Sequence, residues 1–416
     1  MYIDSLELHN IRTFVGGKPL VLSHPDRDYR LPNSPKAESD DRLPRPRLPN
    51  VTLFLGNNGS GKTTILRALA AAAFGPAAKD ILRDGTVVRN GESKGCIRAE
   101  LRLHPQDHSD QTQIVSELEL RRQGERLEVV ASKETLKSNW EPVNESKNDA
   151  FFIVGYGATR RVERLDRYDS GARSQSRSRR DQRVMSLFED SFSLIPLSSW
   201  LPQLKSGNPG RYTQVVHLIN KLLAPGQYRF TGTHSETGDY LFERGGMSVA
   251  FPLLSDGYRA FIGWVADLLY HVCYGCPSGH KLVESCGVVL VDEIDLHLHP
   301  KWQMRVISTI SKTLPRMQFV FTSHSPLIAG SLEWMNIITL KVAGKSNRTV
   351  AKRLKQSIHG LDADQILLSD FFGLKTTLAT AKRRQLNTIN DRIRAGDADA
   401  PLLLIQQMSR GTEVEG

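Results

Sequence analysis

The opening residues, "MYIDSLELHNI", alternate apolar Ile3, Leu6 and Leu8 with polar neighbours, the period of a half-buried strand. "VTLFLG", Val51 to Gly56, is apolar without alternation and runs straight into glycines, which predicts a buried strand. "KTTILRALAAAAF" behind it has the composition of a helix. From about Gly85 to Asn148, "CIRAELRLH", "QIVSELELRR" and "RLEVVAS" read as antiparallel strands with charged outer faces. "FFIVGYG", "GVVLVDEID" and "MQFVFTSHS" predict three further buried strands. Helical patterning is expected at "VMSLFEDSF" and "TQVVHLINKLLA", and the tail from about Asp362 reads as mostly helical. Ser23 to Asn50 is different: rich in Pro and charge, it predicts a long exposed loop. Strands interspersed with helices make an α/β core with a parallel sheet the expected fold class. No internal repeat and no sustained heptad run occurs, which excludes a long coiled coil.

Composition narrows the class without naming a chemistry. A chain of 416 residues can bury a large core as one big domain or two modest ones. The N-terminus lacks the basic and apolar regions of a signal peptide, and no run of about 18 apolar residues predicts a membrane helix. Four cysteines are no disulfide framework, so the reducing cytoplasm is the expected location and no membrane partner is expected. The net charge of +10 is uneven: Arg160 to Arg183 holds nine arginines against four acidic residues. DNA or RNA would gain from counterion release there, and a solvated loop without a ligand is the alternative.

"GNNGSGKT", Gly56 to Thr63, matches G-x-x-x-x-G-K-[ST] and lies between a predicted strand and a predicted helix. Gly56, Gly59 and Gly61 let the backbone wrap a phosphate, with N–H groups and the helix N-terminus facing the anion. Asn57, Asn58, Ser60 and Thr64 complete the nucleotide-lining stretch. Lys62 neutralises the β/γ oxygens, and the Thr63 hydroxyl binds Mg²⁺. The expected cofactors are therefore ATP and Mg²⁺.

In "VVLVDEIDLHLHP" four apolar residues, Val288 to Val291, end in Asp292 and Glu293. A buried parallel strand delivers such carboxylates to the sheet edge where ligands bind. Asp292 is expected to hold Mg²⁺, through water, and Glu293 to polarise the attacking water as general base. A plain helix start with acidic residues at its positive end is the bland alternative. In "FVFTSHSPL" His324 stands at a further strand tip, where it can reach the γ-phosphate. A different candidate is "HVCYGCPSGHKLVESC", whose His271, Cys273, Cys276, His280 and Cys286 could bind tetrahedral zinc or form an ordinary loop.

Phosphate loop, acidic strand and histidine, in this order, resemble ATP-binding-cassette ATPases. "DEIDLHLHPKWQ" and "FTSHSPLIAG" resemble in particular the short ABC-type ATPases related to RecF, the SMC proteins and the OLD nucleases. That branch includes bacterial antiphage ATPases such as the Septu ATPase. The resemblance implies an ABC-type P-loop NTPase with a mixed sheet, an antiparallel β subdomain and an inserted helical lid. It implies a nucleotide-binding half at 1–158, a lid at 159–250, a second half at 251–345 and a helical region at 346–416. Asp295 falls in the D-loop, which in relatives touches the partner subunit's site. His324 matches the switch histidine, and "LSDGYR", Leu254 to Arg259, matches the signature loop. Ser255 and Gly257 are then the positions that grip the γ-phosphate bound by a second subunit. A nucleotide contact by Arg12 is implied by "HNIRTF", which resembles the N-terminal element of the recombination ATPases.

The sequence departs from the family at the strand end "FFIVGYGATRR", where relatives carry a Mg²⁺-binding Gln. Arg160 and Arg161 stand there as candidate sensors of phosphate or nucleic acid, beside a salt-bridged structural role. The resemblance implies a homodimer or higher homo-oligomer joined through composite ATP sites and controlling an effector such as a nuclease. A RecF-like ATPase acting on DNA is the second reading, and a transporter motor subunit the third.

Overall fold

The helix behind the phosphate loop, α1 (Lys62–Phe74), is buried almost throughout, including the run Ala70 to Ala73. A helix apolar on every side needs partners on every side. It packs against two sheets, and small alanine side chains let both backbones approach closely. The computed structural model describes residues 1–30, 42–107, 109–144, 151–162, 179–223, 228–277, 279–343 and 347–376, with scattered positions between 388 and 405. Two units separate by contact, Met1–Leu361 and Asp362–Gly416.

The first sheet holds β3 (Val51–Gly56), β7 (Ile153–Tyr156), β13 (Gly287–Val291), β14 (Met317–Ser323), β15 (Ile337–Ala343) and β16 (Arg348–Lys352). Its order is β16-β15-β3-β14-β13-β7, parallel except for the antiparallel edge pair β15–β16. The register places Leu55 opposite Ser323, and Val291 opposite both Phe321 and Tyr156. The phosphate loop, the acidic tip and the histidine tip therefore leave one edge of one sheet.

The second sheet is antiparallel, ordered β2-β1-β4-β5-β6, from β1 (Tyr2–His9), β2 (Leu20–Val21), β4 (Lys94–Arg102), β5 (Gln113–Gln123) and β6 (Arg126–Ala131). Its strands alternate buried and half-exposed residues, as the charged outer faces predict. Three longer helices follow in the chain, α2 (Leu197–Gly207), α3 (Pro209–Leu223) and α4 (Asp256–Gly275). Between α3 and α4 lies a meander of β10 (Arg229–His234), β11 (Tyr240–Arg244) and β12 (Met247–Ala250), which the hydrophobic pattern did not announce. In the second unit, α5 (Ala363–Leu368) is opened by a capping box of Asp362 and Gln365.

Two expectations need correction. "VMSLFEDSF" is a single 3₁₀ turn at Met185–Leu187, not a helix, and leads into the small parallel pair β8 (Arg161–Val162) and β9 (Ser193–Leu194). The described flanks of the Ser23–Asn50 loop are packed rather than exposed. His24 is fully buried and bonds Asp4 at 2.5 Å, and Tyr29 Oη donates to Pro49 O at 2.6 Å. Burial pushes the His24 imidazole down from its ordinary value, against the pull of Asp4.

Candidate active site

The phosphate loop leaves β3 at Gly56 and enters α1 through Gly61, whose φ of +92° suits glycine alone. A Cβ there would also meet the Phe14 ring at 2.6 Å, so the turn following β1 lies against the loop. Thr349 of β16 fixes the same corner: its N–H donates to Thr13 O, and its hydroxyl to Thr13 Oγ1 and Ser60 O. Asn57, Asn58 and Gly59 are exposed, while Ser60 is buried with an unpartnered hydroxyl. Lys62 Nζ donates to Gly56 O at 2.8 Å and Asn57 O at 3.2 Å, spanning the loop mouth. Burial lowers its pKa, against the pull of Glu293, Asp292 and Asp295.

Asp292 is the centre of the polar network. It is 3% exposed, and the Thr63 hydroxyl donates to its Oδ2 at 2.5 Å while Thr322 Oγ1 bonds its Oδ1. Thr322 Oγ1 also accepts from Glu293 N at 2.8 Å. A hydroxyl beside a buried carboxylate is an oxygen-only donor set of the kind Mg²⁺ takes alongside substrate phosphates and water. Thr63 and Asp292 therefore fit a Mg²⁺ ion. Glu293 turns out of the strand at φ +47° and is half-buried.

Asp295 faces His324 of its own chain: its Oδ2 lies 3.7 Å from His324 Nε2, and its Oδ1 is buried without a partner. His324 itself is 46% exposed. Its neighbour Ser325 donates to Gln303 Oε1 at 2.7 Å, and Gln303 Nε2 donates to Leu298 O at 2.9 Å. Gln303, on α6 (Pro300–Thr313), thus joins the histidine tip to the D-loop.

Arg12 sits at φ +47° in the turn closed by Ile11 and Phe14. Its charge reaches Arg67 and Asp84, and Arg67 in turn feels Asp292. The structure brings Gly56 to Thr64, Asp292, Glu293, Asp295 and His324 together, with Arg12 on the flank. Ser255 and Gly257 open α4, and Ser255 is exposed. Ser255 occupies the N-cap position, yet its side chain makes no capping bond. A Cβ on Gly257 would lie 2.3 Å from His297 O, so the backbone at His297 rests on Gly257.

Thr322 and Gln303 escaped the sequence reading. Thr322 stands two residues before His324, a hydroxyl residue next to Ser323 at the end of a mostly apolar strand, with no local pattern to mark its role. Among the described residues no group of three metal-ligating His, Cys, Asp or Glu side chains occurs. His271 pairs with Asp267 at 3.4 Å, an acid that also accepts from Tyr156 Oη. The Cys273 thiol is buried, and that burial pushes it up to about 12. Residues 163–178 of the arginine-rich stretch lie outside the described residues. Of its described side chains, Arg160, Arg180 and Arg183 are buried and Arg161 is exposed.

Residues 51–330 match the family AAA_21, described as "AAA domain, putative AbiEii toxin, Type IV TA system". The chain belongs to the AAA_21 family. This AAA_21 chain is an ATPase, with the phosphate loop and acidic tip inside the matched span. It is 22% identical over 349 residues to the Septu protein PtuA of Bacillus mycoides (strain KBAB4), covering 82% of this chain and 42% of that one. It is 21% identical over 397 residues to the "Retron Vc95 probable ATPase" of Vibrio cholerae serotype O1 biovar El Tor, covering 78% and 74% respectively. The AAA_21 chain thus spans less than half of that Septu protein. Among solved structures, an Smc head bound to the C-winged helix domain of ScpA aligns with TM-score 0.48 and 15% identity, over 85% of this chain and 98% of that one. No described helix is long and apolar enough to cross a membrane.

Proposed function

We propose that two copies of this chain pair head to tail, close two shared ATP sites, and use the cycle to control an effector nuclease in phage defence. The ATP phosphates would lie against the N–H groups of Asn58 to Thr63, with Lys62 on the β/γ oxygens. Thr63 and Asp292 would hold Mg²⁺, which when bound neutralises phosphate charge. Glu293 would take the proton of the attacking water, held in register by Thr322. His324, oriented by Asp295, would donate toward the γ-phosphate, and Ser255 and Gly257 of the second copy would complete the cage.

The observation that carries this reading is Ser255: an exposed hydroxyl at the start of a 20-residue helix, making no bond within its own chain cap. Such a residue would ordinarily cap its helix. The defence role rests on the similarity to Septu and retron proteins, and the partner's nature on the family resemblance. Glu293→Gln should slow turnover and accumulate an ATP-bound dimer on size-exclusion chromatography. Ser255→Arg should leave ATP binding intact and abolish hydrolysis; full hydrolysis in that variant returns the stretch to an ordinary helix start. The DNA reading draws less support, since three described arginines of the basic stretch are buried. DNA-stimulated turnover that falls when Arg173 and Arg177 are neutralised would restore it.

A further inference from the structure

The strand end that lacks the family's glutamine brings an arginine to the hydrolytic loop. Asp292 N donates to Tyr156 O at 2.8 Å, so the chains leaving β7 and β13 run side by side. Four residues beyond Tyr156, Arg160 Nη2 donates to Glu293 O at 2.8 Å. Both residues hold left-handed backbone, at φ +32° and +47°, a conformation that persists only where surroundings over-determine it. Arg160 is 6% exposed, and among the described residues no carboxylate forms an ion pair with it. Burial lowers its pKa to about 10 while Asp292, Asp295 and Glu293 raise it, which leaves the guanidinium charged at neutral pH.

The same segment is anchored at its other end on the signature helix. A Cβ on Gly263 of α4 would lie 2.2 Å from Val162 Cγ2, so Val162 is seated on bare helix backbone. Gly263 is about two turns from Ser255. Arg160 also lines a cavity of about 880 Å³ shared with Pro252, Arg259 and Gly263. One short segment thus touches the carbonyl of Glu293 and the helix that begins at Ser255.

We propose that Arg160 is a positioning residue that sets the backbone of Glu293 and, through Val162 on Gly263, ties that setting to the signature helix. Engagement of Ser255 by one nucleotide would then adjust hydrolysis at the site of its own chain. The inference rests on the reading of Glu293 as general base.

Single-turnover and steady-state ATP hydrolysis test it, with binding of a fluorescent ATP analogue measured alongside. Arg160→Met keeps the packing volume and removes the donor; it should lower kcat about 10- to 100-fold with KM within about twofold. Arg160→Lys can still donate to Glu293 O and should recover most of that loss. In a Glu293→Gln background Arg160→Met should cost nothing further, because both changes remove the same function. An equal fold-loss in both backgrounds, as a purely structural role would give, overturns the proposal. So does wild-type kcat in Arg160→Met. Val162→Ala should lower kcat in the same direction, and unchanged turnover there would cut Arg160 from the signature helix. Full turnover in Glu293→Gln alone would overturn the general-base reading itself, an outcome distinct from failure at Arg160.

Discussion

Thr322 shows how much one hydroxyl can hold. It donates to Asp292 and accepts from Glu293 N, so the two acidic residues are referenced to a single atom on the neighbouring strand. Thr322→Val keeps the shape and removes both bonds. Turnover should fall about 10- to 100-fold with nucleotide affinity nearly unchanged, as for other residues that orient a ligand from behind. Isothermal titration beside a phosphate-release assay separates the two effects. Lys62, Thr63, Asp292, Glu293 and His324 were legible in sequence because each belongs to a local pattern: glycines before a helix, or polar residues at an apolar strand's tip. Thr322 and Gln303 were not, since their roles come from register across the sheet and from a helix packing back on a loop. The cysteine and histidine run left a metal site and an ordinary loop both open, and among the described residues no group of three metal ligands forms. Its spacing suited a metal, but helical geometry turns His271 inward to Asp267.

The elements obey the pattern wherever burial decides them. Val51–Leu55, Gly287–Val291 and Met317–Ser323 are buried from end to end, and their mostly apolar runs without alternation said so. The meander Arg229–Ala250 was less readable because its strands are short and polar on one side. Pro and charge in residues 23–50 also misdirect: the described flanks are anchored by side-chain bonds to the sheets, which composition does not record. For α1 the consequence is quantitative. Ala71 has no exposed surface, on a helix packed between two sheets. Ala71→Leu should destabilise the fold by about 1–3 kcal/mol through overpacking, read as a lower midpoint in urea unfolding. An equivalent midpoint would mean the helix can slide between its sheets.

At the scale of the whole molecule, the shared-site proposal divides the site residues into two groups, one supplied by each copy. Lys62→Ala and Ser255→Arg copies should each be inactive. Mixed in equal amounts they should recover about a quarter of wild-type turnover, because random pairing gives mixed dimers with one intact site each. Absence of recovery, in a mixture shown to contain the mixed dimer, would remove the shared-site proposal.

The place of β3 in its sheet has a consequence for how the protein is made. The strand that carries the phosphate loop is encoded early, yet its two neighbours are β14 and β15, and the loop's corner is pinned by Thr349. On the ribosome, where chains emerge N-terminus first, Val51–Gly56 has neither neighbour to pair with until roughly 260 further residues have followed it. A nascent or prematurely ended chain therefore carries the phosphate-loop sequence without the architecture that gives it purpose. Synthesis itself withholds the ATPase until nearly the whole first unit exists.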